Sequence, residues 1–576
     1  MDSRTAAHVL SQIAAYLELK GESSFKCRAY EGAARALRAL GADDLAPLYR
    51  SGELAGVRGL GPATLSVVRD LVETGESRYL EQLRESTPGG LLDMLAVPGM
   101  TPARIYRVYE ELNVETLEEL EAAARDGRLA TLSKIGPKTS AKILAGIATA
   151  RERGPLRLYH HAMVEAQHLL GAVRSHPAVA SAEIAGALRR RMEVAGTIDI
   201  VAACDGDAET VAQSFTRVAG VRSAEGAGAS VSIRYVDGAH LALRCVAPGD
   251  FAVALWMATG SAEHVRAVTG ALRGVGVSID GDRLTDGAGV WLPVGSEADL
   301  YRAAHLDLVP PELREAAGEI DAASRHALPR LVTAEDIRGA LHCHSSYSDG
   351  KATIAEMARG AQAKGWAYIG ITDHSQAAFY AGGLSRERVL AQHDEIDELN
   401  ATLGSFRILK GIEADILADG QLDYGDDLLD RFDYVVGSIH SRFSMERTAM
   451  TDRVLRALDD PRLTILAHPT GRLLLSRAPY AIDLDAVLEK AAEVAVAVEL
   501  NADPHRLDLD WRHVQTAKQL GIRIEIGPDA HSVGGLDNME IGVGIARKGW
   551  LEATDVLNAA TADDVLAFAR ARRETR

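Results

Sequence analysis

Residues 368–374 read YIGITDH, an apolar run that ends in an aspartate and a histidine. The same pattern recurs through the C-terminal third of the chain, where short runs of Ile, Val and Leu lead directly into possible metal ligands. Such runs are typical of buried strands, and the segments between them, such as residues 354–364 and 484–494, have helical periodicity. This alternation predicts a parallel α/β barrel whose strand ends gather ligands at one mouth.

Nine side chains are candidate ligands: His342, His344, Asp349, His374, Glu413, His440, His468, Asp529 and His531. Imidazoles with a minority of carboxylates suit zinc, manganese or iron, whereas oxygen cages suit calcium or magnesium and thiolate sites need cysteines. The set is too large for one ion. Two or three ions that share bridging carboxylates, Glu413 among them, would use it, and clustered ions activate water and neutralise phosphoryl charge. We therefore expect a multinuclear metal hydrolase.

These residues lie in six motifs: HCHSSYSDG at 342–350, TDHS at 372–375, GIE at 411–413, SIHSRF at 438–443, AHPTGR at 467–472 and PDAH at 528–531. The segment at 336–576 resembles the PHP (polymerase and histidinol phosphatase) domain, in the form fused to bacterial family X DNA polymerases. The resemblance implies a distorted (β/α)7 barrel with up to three metals. It also implies manganese-dependent 3′-5′ exonuclease and related 3′-end phosphodiesterase activity.

Three further residues are candidates for catalysis. Arg442 and Arg472 each follow a ligand histidine and could clamp phosphate oxygens; a structural role at a helix edge is the alternative for both. Asp373 could orient His374 or another ligand through a hydrogen bond.

Three glycine-containing turns interrupt the helical N-terminal region: VRGLGP at 57–62, VPGMTP at 97–102 and SKIGPK at 133–138. Each resembles a helix-hairpin-helix element. Glycine permits a tight turn there, and the amides at the start of the following helix can bind a phosphate oxygen without reading sequence. The predicted DNA-binding residues are Gly59, Gly61, Gly99, Gly136 and Lys138. Thr101 and Lys134 stand where the family often has glycine.

The middle segment resembles a nucleotidyltransferase palm whose active site is degenerate. The matching positions are Ala187, Arg190, Thr197, Asp199 and Ala242. In the family the first is a serine, and three carboxylates hold two metal ions; here Asp199 alone remains, with Arg190 as a possible triphosphate contact. Two-metal nucleotidyl transfer needs several carboxylates. Glu193 is a conceivable substitute, but it precedes the strand, so we predict little or no polymerase activity.

Composition places limits on the function. The 576 residues carry a formal net charge of −18, so any DNA contact must be local rather than spread over a basic surface. The four cysteines show no CxxC spacing, which favours reduced, buried thiols. No apolar run is long enough to span a bilayer, and no secretory signal is evident at the N-terminus. We expect a soluble, cytoplasmic protein that does not bind membranes.

The predicted organisation has six parts: an N-terminal helical domain at 1–85, a fingers-like helical domain at 86–154, a degenerate palm at 155–248, a thumb-like domain at 249–308, a linker at 309–335 and the PHP domain at 336–576. The predicted function is a manganese- or zinc-dependent 3′-5′ exonuclease or 3′-end phosphodiesterase, with iron also possible. Its partner would be DNA, at 3′ ends of gapped or primer-template duplexes during repair. The alternatives are a phosphatase of small phosphate esters and a DNA-binding scaffold with residual polymerase activity.

Overall fold

A computed structural model of the chain describes residues 1–42, 44–74, 77, 79, 80, 83, 91, 94, 97, 99–133, 135–153, 156–218, 220–235 and 238–574. The chain divides into two compact units, Met1–Leu156 and Arg157–Arg576. The predicted boundaries at 85/86 and 154/155 lie outside the described residues. Among the helices that are described, none is both long enough and apolar enough to cross a membrane.

The first unit is helical in its described part, as the periodicity predicted. Its helices are α1 Ser3–Leu19, α2 Ser24–Leu40, α3 Ala46–Arg50, α4 Pro62–Thr74, α5 Pro102–Leu112, α6 Leu117–Arg125 and α7 Pro137–Arg153. Leu10 and Leu17 of α1 pack with Leu37 of α2 in a fully buried cluster. Helix α6 begins at a capping box in which Thr116 and Glu119 satisfy each other's backbone amides.

The second unit begins with an α/β segment that corresponds to the predicted palm. Its elements are β1 Arg157–Leu158, α8 Tyr159–Arg174, β2 Val179–Ile184, α9 Gly186–Arg189, β3 Val194–Ala195, β4 Ile198–Cys204, α10 Ala208–Ser214, β5 Val221–Glu225, β6 Ser230–Tyr235 and β7 His240–Val246. The main sheet has the order β2-β4-β7-β6-β5. Strands β4 and β7 run parallel in its centre, and the other neighbours are antiparallel.

The thumb-like segment follows, with α11 Phe251–Thr259, α12 Ala262–Gly274, β8 Ser278–Asp280, β9 Arg283–Thr285, β10 Trp291–Leu292 and α13 Glu297–Ala303. Residues 309–335, which the sequence predicted as a polar linker, include α14 Glu319–Ser324 and pack onto this segment. Arg314 is fully buried, and its Nη1 donates to Glu297 Oε1 at 2.7 Å. Although burial opposes ionisation, hydrogen bonds from Arg189 and Arg314 lower the pKa of Glu297 to about 2.

The remaining residues build the predicted barrel. Its elements are β11 Gly339–Ala340, α15 Ile354–Ala363, β12 Tyr368–Ile371, α16 Arg386–Asn400, β13 Arg407–Lys410, β14 Glu413–Asp415, α17 Asp426–Leu429, β15 Val435–Ser438, α18 Arg447–Leu458, β16 Leu463–Leu466, α19 Leu484–Glu493, β17 Ala497–Asn501, α20 Trp511–Gln519, β18 Ile524–Gly527, α21 Asn538–Lys548 and α22 Ala562–Glu574. All pairings between these strands are parallel.

The barrel closes through two short backbone bridges. One joins His374 to Glu413 and so connects β12 to β14, and the other joins Cys343 to Ala530 and connects the end of β11 to the end of β18. Strands β13 and β14 are two halves of one strand position. Within residues 238–574, which are described without a gap, the sheet therefore has seven strand positions, and the predicted parallel α/β barrel is confirmed.

Candidate metal centre

The predicted ligands lie at the carboxyl ends of the barrel strands. His342 and His344 follow β11, His374 follows β12, and Glu413 opens β14. His440 follows β15, His468 follows β16, and Asp529 and His531 follow β18, while Asp349 lies in the loop before α15. Cys343, between the first two histidines, belongs to the apolar core, because successive residues of an extended chain point to opposite faces. The structure thus brings all nine side chains to one mouth.

Glu413 is the centre of this cluster and is 1% exposed. Its Oε2 lies 2.8 Å from His374 Nδ1 and 3.5 Å from His342 Nε2. Its Oε1 lies 3.1 Å from His468 Nε2 and 3.4 Å from His440 Nε2. Both oxygens therefore face imidazole nitrogens, as expected of a carboxylate that bridges two ions.

The other two carboxylates among the candidate ligands, Asp529 and Asp349, also face imidazole nitrogens. His344 Nε2 is 3.3 Å from Asp529 Oδ1. Asp349 Oδ1 is 3.4 Å from His531 Nε2 and 3.7 Å from His374 Nε2. These contacts define a second cluster of candidate ligand atoms, next to the cluster around Glu413.

The spacing of these atoms fits divalent cations. Two ligands bound at about 2.1 Å in tetrahedral geometry lie about 3.4 Å apart, which is close to most of the separations above. The candidate ligand atoms form three groups, and within each group the atoms lie within 4.8 Å of one another. The groups are His344, Asp349, His374 and His531; His342, His344 and Asp529; and His374, Glu413 and His440. Both ring nitrogens of His344 are buried, and neither makes a well-aligned hydrogen bond to a described residue. A bound cation would satisfy the ring nitrogen that carries the lone pair.

The pKa shifts of the candidate ligands also indicate a site for positive charge. Burial opposes ionisation of Glu413 and Asp529, but the surrounding imidazoles hold both carboxyl pKa values well below their usual range. Contacts with Asp349 and Asp529 outweigh burial and raise the pKa of His531 to about 9. The anionic ligands thus attract positive charge, which a metal would supply in place of protons.

Two residues that sequence analysis missed hold the ligands in place. Glu499, on β17, lies with Oε1 2.5 Å from His342 Nδ1 and accepts a hydrogen bond from the backbone N–H of His468 at 2.6 Å. Asp415 Oδ1 lies 2.8 Å from His440 Nδ1. Such carboxylates fix the ring orientation and tautomer of a ligand histidine. Asp415 has a sequence signal, because it stands two residues after Glu413 on the same strand.

Asp373 is fully buried and organises the loop between His344 and Asp349. Its carboxylate accepts hydrogen bonds from Ser345 N at 2.8 Å, from Ser345 Oγ at 2.5 Å and from Gln392 Nε2 at 2.6 Å. The Ser348 hydroxyl donates to it as well. Asp373 therefore supports the segment that carries Asp349; the sequence suggested that it orients His374 or another ligand.

The two predicted phosphate-binding arginines differ in their surroundings. Arg442 is exposed and has a left-handed backbone, with φ 58°. Arg472 is buried, and each of its three guanidinium nitrogens donates a hydrogen bond. Nε donates to the carbonyl of Arg506 at 3.0 Å, Nη1 to Asp510 Oδ2 at 2.5 Å, and Nη2 to the carbonyl of Leu507. These bonds favour a structural role for Arg472, because its donors are already in use.

The palm positions come together around one carboxylate. Asp199 on β4 pairs in register with Ala242 on β7. A Cβ on Gly186 would lie 1.9 Å from Asp199 Oδ2, so the carboxyl group lies against the turn that also contains Ala187. Burial raises the pKa of Asp199 to about 6. Thr197 stands where the resemblance places the first aspartate. Its Oγ1 lies 3.2 Å from His240 Nδ1, so this position makes a contact without a carboxylate charge.

Two charged palm residues are engaged elsewhere. Arg190, the predicted triphosphate contact, donates from Nε to Glu315 Oε1 at 2.8 Å and from Nη1 to the carbonyl of Thr259 at 2.7 Å. Glu193 is buried against the barrel and accepts from Arg512 Nη1 at 3.2 Å and from Trp511 Nε1 at 3.3 Å. It therefore does not lie beside Asp199 as a substitute carboxylate.

The three N-terminal turns share one construction. The amides of Leu60, Met100 and Ile135 donate to the carbonyls three residues earlier at 3.0, 2.9 and 3.0 Å. Helices α4, α5 and α7 then begin with Pro62, Pro102 and Pro137, a residue suited to the first helical position. Lys134 lies outside the described residues. The second and third turns thus match the first despite their imperfect sequences.

The predicted DNA-binding residues differ in what requires glycine. Gly59 and Gly99 have φ values of 106° and 91°, which disfavour other residues. A Cβ on Gly61 or Gly136 would meet nothing within 4 Å, so the fold does not require glycine there. Lys138 is exposed near the start of α7.

Comparison with known proteins agrees with this organisation. Family models match a helix-hairpin-helix domain at 1–77, a SAM-like helix-hairpin-helix tandem at 91–149, a DNA polymerase beta thumb at 254–315 and a PHP domain at 340–501. The chain is 36% identical over 574 residues to the DNA polymerase/3′-5′ exonuclease PolX of Bacillus subtilis (strain 168), with 99% of each chain covered. The chain belongs to the PolX family. The PolX-family likeness spans both compact units.

Other relatives match only part of this PolX-family chain. A probable phosphatase of Caldanaerobacter subterraneus subsp. tengcongensis is 29% identical over 195 residues, which are 31% of this chain and 70% of the relative. A probable phosphatase of Syntrophotalea carbinolica is 32% identical over 168 residues, which are 28% of this chain and 64% of the relative.

Proposed function

We propose that this chain is a DNA-binding, metal-dependent 3′-5′ exonuclease or 3′-end phosphodiesterase that acts in DNA repair. The observation that carries the proposal is the convergence of nine candidate ligands, Glu413 among them, at one barrel mouth in a chain whose full-length relative is named a DNA polymerase/3′-5′ exonuclease. The cofactors would be up to three divalent ions, manganese or zinc, with iron also possible. The substrate would be the 3′ end of a gapped or primer-template duplex.

The chain's own residues would hold and orient the reacting groups. Divalent ions at such a centre supply Lewis acidity and activate water. Glu413 would bridge them, while Glu499 and Asp415 keep the rings of His342 and His440 oriented. Asp373 would hold the loop that bears Asp349. Arg442, exposed after β15, is a candidate contact for the nucleic-acid phosphates.

We also propose that templated DNA synthesis is lost or very weak. Asp199 has Thr197 and Ala242 where the family has carboxylates, and a single carboxylate cannot hold two divalent ions close together. Arg190 is bonded to Glu315 and would have to leave it to contact a triphosphate.

The three N-terminal turns support binding to DNA. Each places a backbone turn directly before a helix, where amides can bind phosphate without reading sequence. Gly59, Gly61, Gly99, Gly136 and Lys138 are the proposed contacts.

Hydrolysis of small phosphate esters is a second candidate function, because relatives that match about a third of the chain are named probable phosphatases. Turnover of a phosphomonoester and of an oligonucleotide by the same preparation separates the two. Faster turnover of the phosphomonoester would favour the phosphatase.

A direct test replaces His342 and His344 by alanine and follows digestion of a 3′-recessed duplex with manganese. We expect digestion to be abolished, since both imidazoles belong to the ligand groups. Unchanged digestion would count against the proposal.

A further inference from the structure

Arg506 is a cation at the metal centre that neither the sequence motifs nor the family comparison assigns. It follows β17 on the loop at the carboxyl ends of the strands, and its side chain is 18% exposed. Its Nε lies 3.7 Å from Asp529 Oδ2. Among the residues that the structure describes, the guanidinium makes this one long ion pair and no hydrogen bond.

Asp529, the partner of Arg506 in this ion pair, is engaged through both of its oxygens, and 3.7 Å is too long for a hydrogen bond from Arg506. Asp529 Oδ2 accepts a hydrogen bond from Asn501 Nδ2 at 3.0 Å, and Oδ1 belongs to a ligand group with His342 and His344. The N–H groups of Arg506 therefore remain available to a ligand that enters the mouth.

The loop that carries Arg506 is held in place by Arg472. Arg472 donates to the backbone carbonyls of Arg506 and Leu507, and its remaining Nη1 is paired with Asp510. The palm-derived Glu193 lies 3.5 Å from Arg472 Nη2. Arg472 is thus a positioning residue for Arg506, and the two arginines have different tasks.

We propose that Arg506 binds the non-bridging oxygens of the phosphate at the metal centre, through the paired N–H groups of its guanidinium. The proposal rests on the proposed function and names the residue that recognises the phosphate. A planar guanidinium matches two phosphate oxygens, which a lysine ammonium does not. Its position beside Asp529 brings this fork next to the ligands of the centre.

The test uses the full chain with Arg506→Gln, Arg506→Lys and a matched control, Arg407→Gln. Arg407 begins β13 at the amino end of the barrel and pairs with Asp563, so the control removes one charge far from the mouth. Calorimetry measures the Kd of inorganic phosphate and of thymidine 5′-monophosphate for the manganese-loaded proteins. The kcat and KM values for a 3′-recessed duplex and the bound manganese are measured in parallel.

We expect Arg506→Gln to raise the Kd of inorganic phosphate at least 10-fold and to lower kcat/KM about 100-fold, with bound manganese unchanged. Arg506→Lys should recover part of the phosphate affinity but little of kcat. The proposal is overturned if Arg506→Gln binds phosphate as Arg407→Gln does, or if its loss of affinity only follows a loss of manganese. If wild-type protein binds phosphate through Arg506 but does not shorten DNA, the proposed function fails while this assignment stands.

Discussion

Glu413 shows how a single buried carboxylate can organise a metal centre. Its two oxygens face five imidazoles, from strands that are distant in sequence. Removal of its charge would leave those rings without a common anionic partner. The carboxylates that contact the ligand histidines, Glu499 above all, determine how the imidazole rings are oriented.

Glu499→Gln tests this orienting role. The amide would keep the shape of the side chain but lose the charge that faces His342 Nδ1, so we expect manganese affinity to fall about 10- to 100-fold. Metal competition with a chromophoric chelator measures it. Glu489→Gln, on the exposed face of α19, is the control. Equal affinities in the two variants would show that Glu499 does not tune the centre.

Asp199 predicts a pH-dependent stability. Its pKa is about 6 in the fold and about 3.9 when unfolded, so the neutral acid is favoured by folding and stability falls as pH rises from 4 through 6. Asp199→Asn should therefore raise the free energy of unfolding by about 3 kcal/mol above pH 7 and by about half as much at pH 5. Urea unfolding at the two pH values measures the difference. Destabilisation by Asp199→Asn at pH 7.5 would mean that the carboxylate still has a cationic partner.

Residue by residue, the sequence indicates the ligands better than their support. The nine ligands carry a repeated signal, a side chain placed after an apolar run, and the structure assembles them. Glu499 lies inside an apolar run, and Arg506 lies in a loop, so neither has a local signal. Arg472 has a suggestive position, but its bonds to Asp510 and to loop carbonyls depend on tertiary packing that no local pattern reveals.

Among the elements, the barrel strands follow from their apolar composition and from the helices between them. The interruption between β13 and β14 was not predicted. Gly411 stands in this interruption, and Tyr434 lies against it, so a Cβ at residue 411 would come within 2.6 Å of the ring. The segment at 309–335 was predicted as a linker from its polar residues, yet Arg314 and Glu319 are buried there because each has a charged or polar partner.

The first N-terminal turn separates two roles of glycine. Gly59→Ala should lower the unfolding temperature of the chain, since φ is 106° and a Cβ would lie 3.3 Å from that of Ala36. Gly61→Ala should leave stability unchanged but weaken binding to a gapped duplex about 3- to 10-fold if a phosphate approaches that backbone. Fluorescence anisotropy in EDTA measures binding. Gly56→Ala, which also meets no atom within 4 Å, is the control; equal binding by Gly61→Ala and Gly56→Ala would exclude this contact.

Across the second unit, a buried charged seam joins the palm to the barrel. Glu193 accepts from Arg512 and Trp511, and the fully buried Lys548 amine lies 2.5 Å from Glu315 Oε1. Lys548 Nζ also donates to the carbonyl of Arg190 at 3.1 Å. The palm is therefore fastened to the barrel through buried polar and charged contacts that lie next to Arg190.

Glu193→Ala tests the seam. Loss of this buried carboxylate should destabilise the chain by about 2 to 3 kcal/mol, because Arg472 and Arg512 lose an anionic partner. A double-mutant cycle with Arg512→Met should give a coupling energy of about 1 kcal/mol. Glu183→Ala, which breaks an exposed pair between β2 and Arg174 at the end of α8, should cost less than about 0.5 kcal/mol. Similar losses of stability in the Glu193 and Glu183 variants would show that the seam does not stabilise the chain.

The most direct test of the whole molecule is one gel with a 5′-labelled primer on a longer template and manganese, run with and without the four deoxynucleotides, for wild type and Glu413→Gln. We expect wild type to shorten the primer in both lanes without extending it, and Glu413→Gln to leave it intact. Primer that is extended when nucleotides are present, or shortened equally by Glu413→Gln, would contradict a chain whose working centre is the barrel.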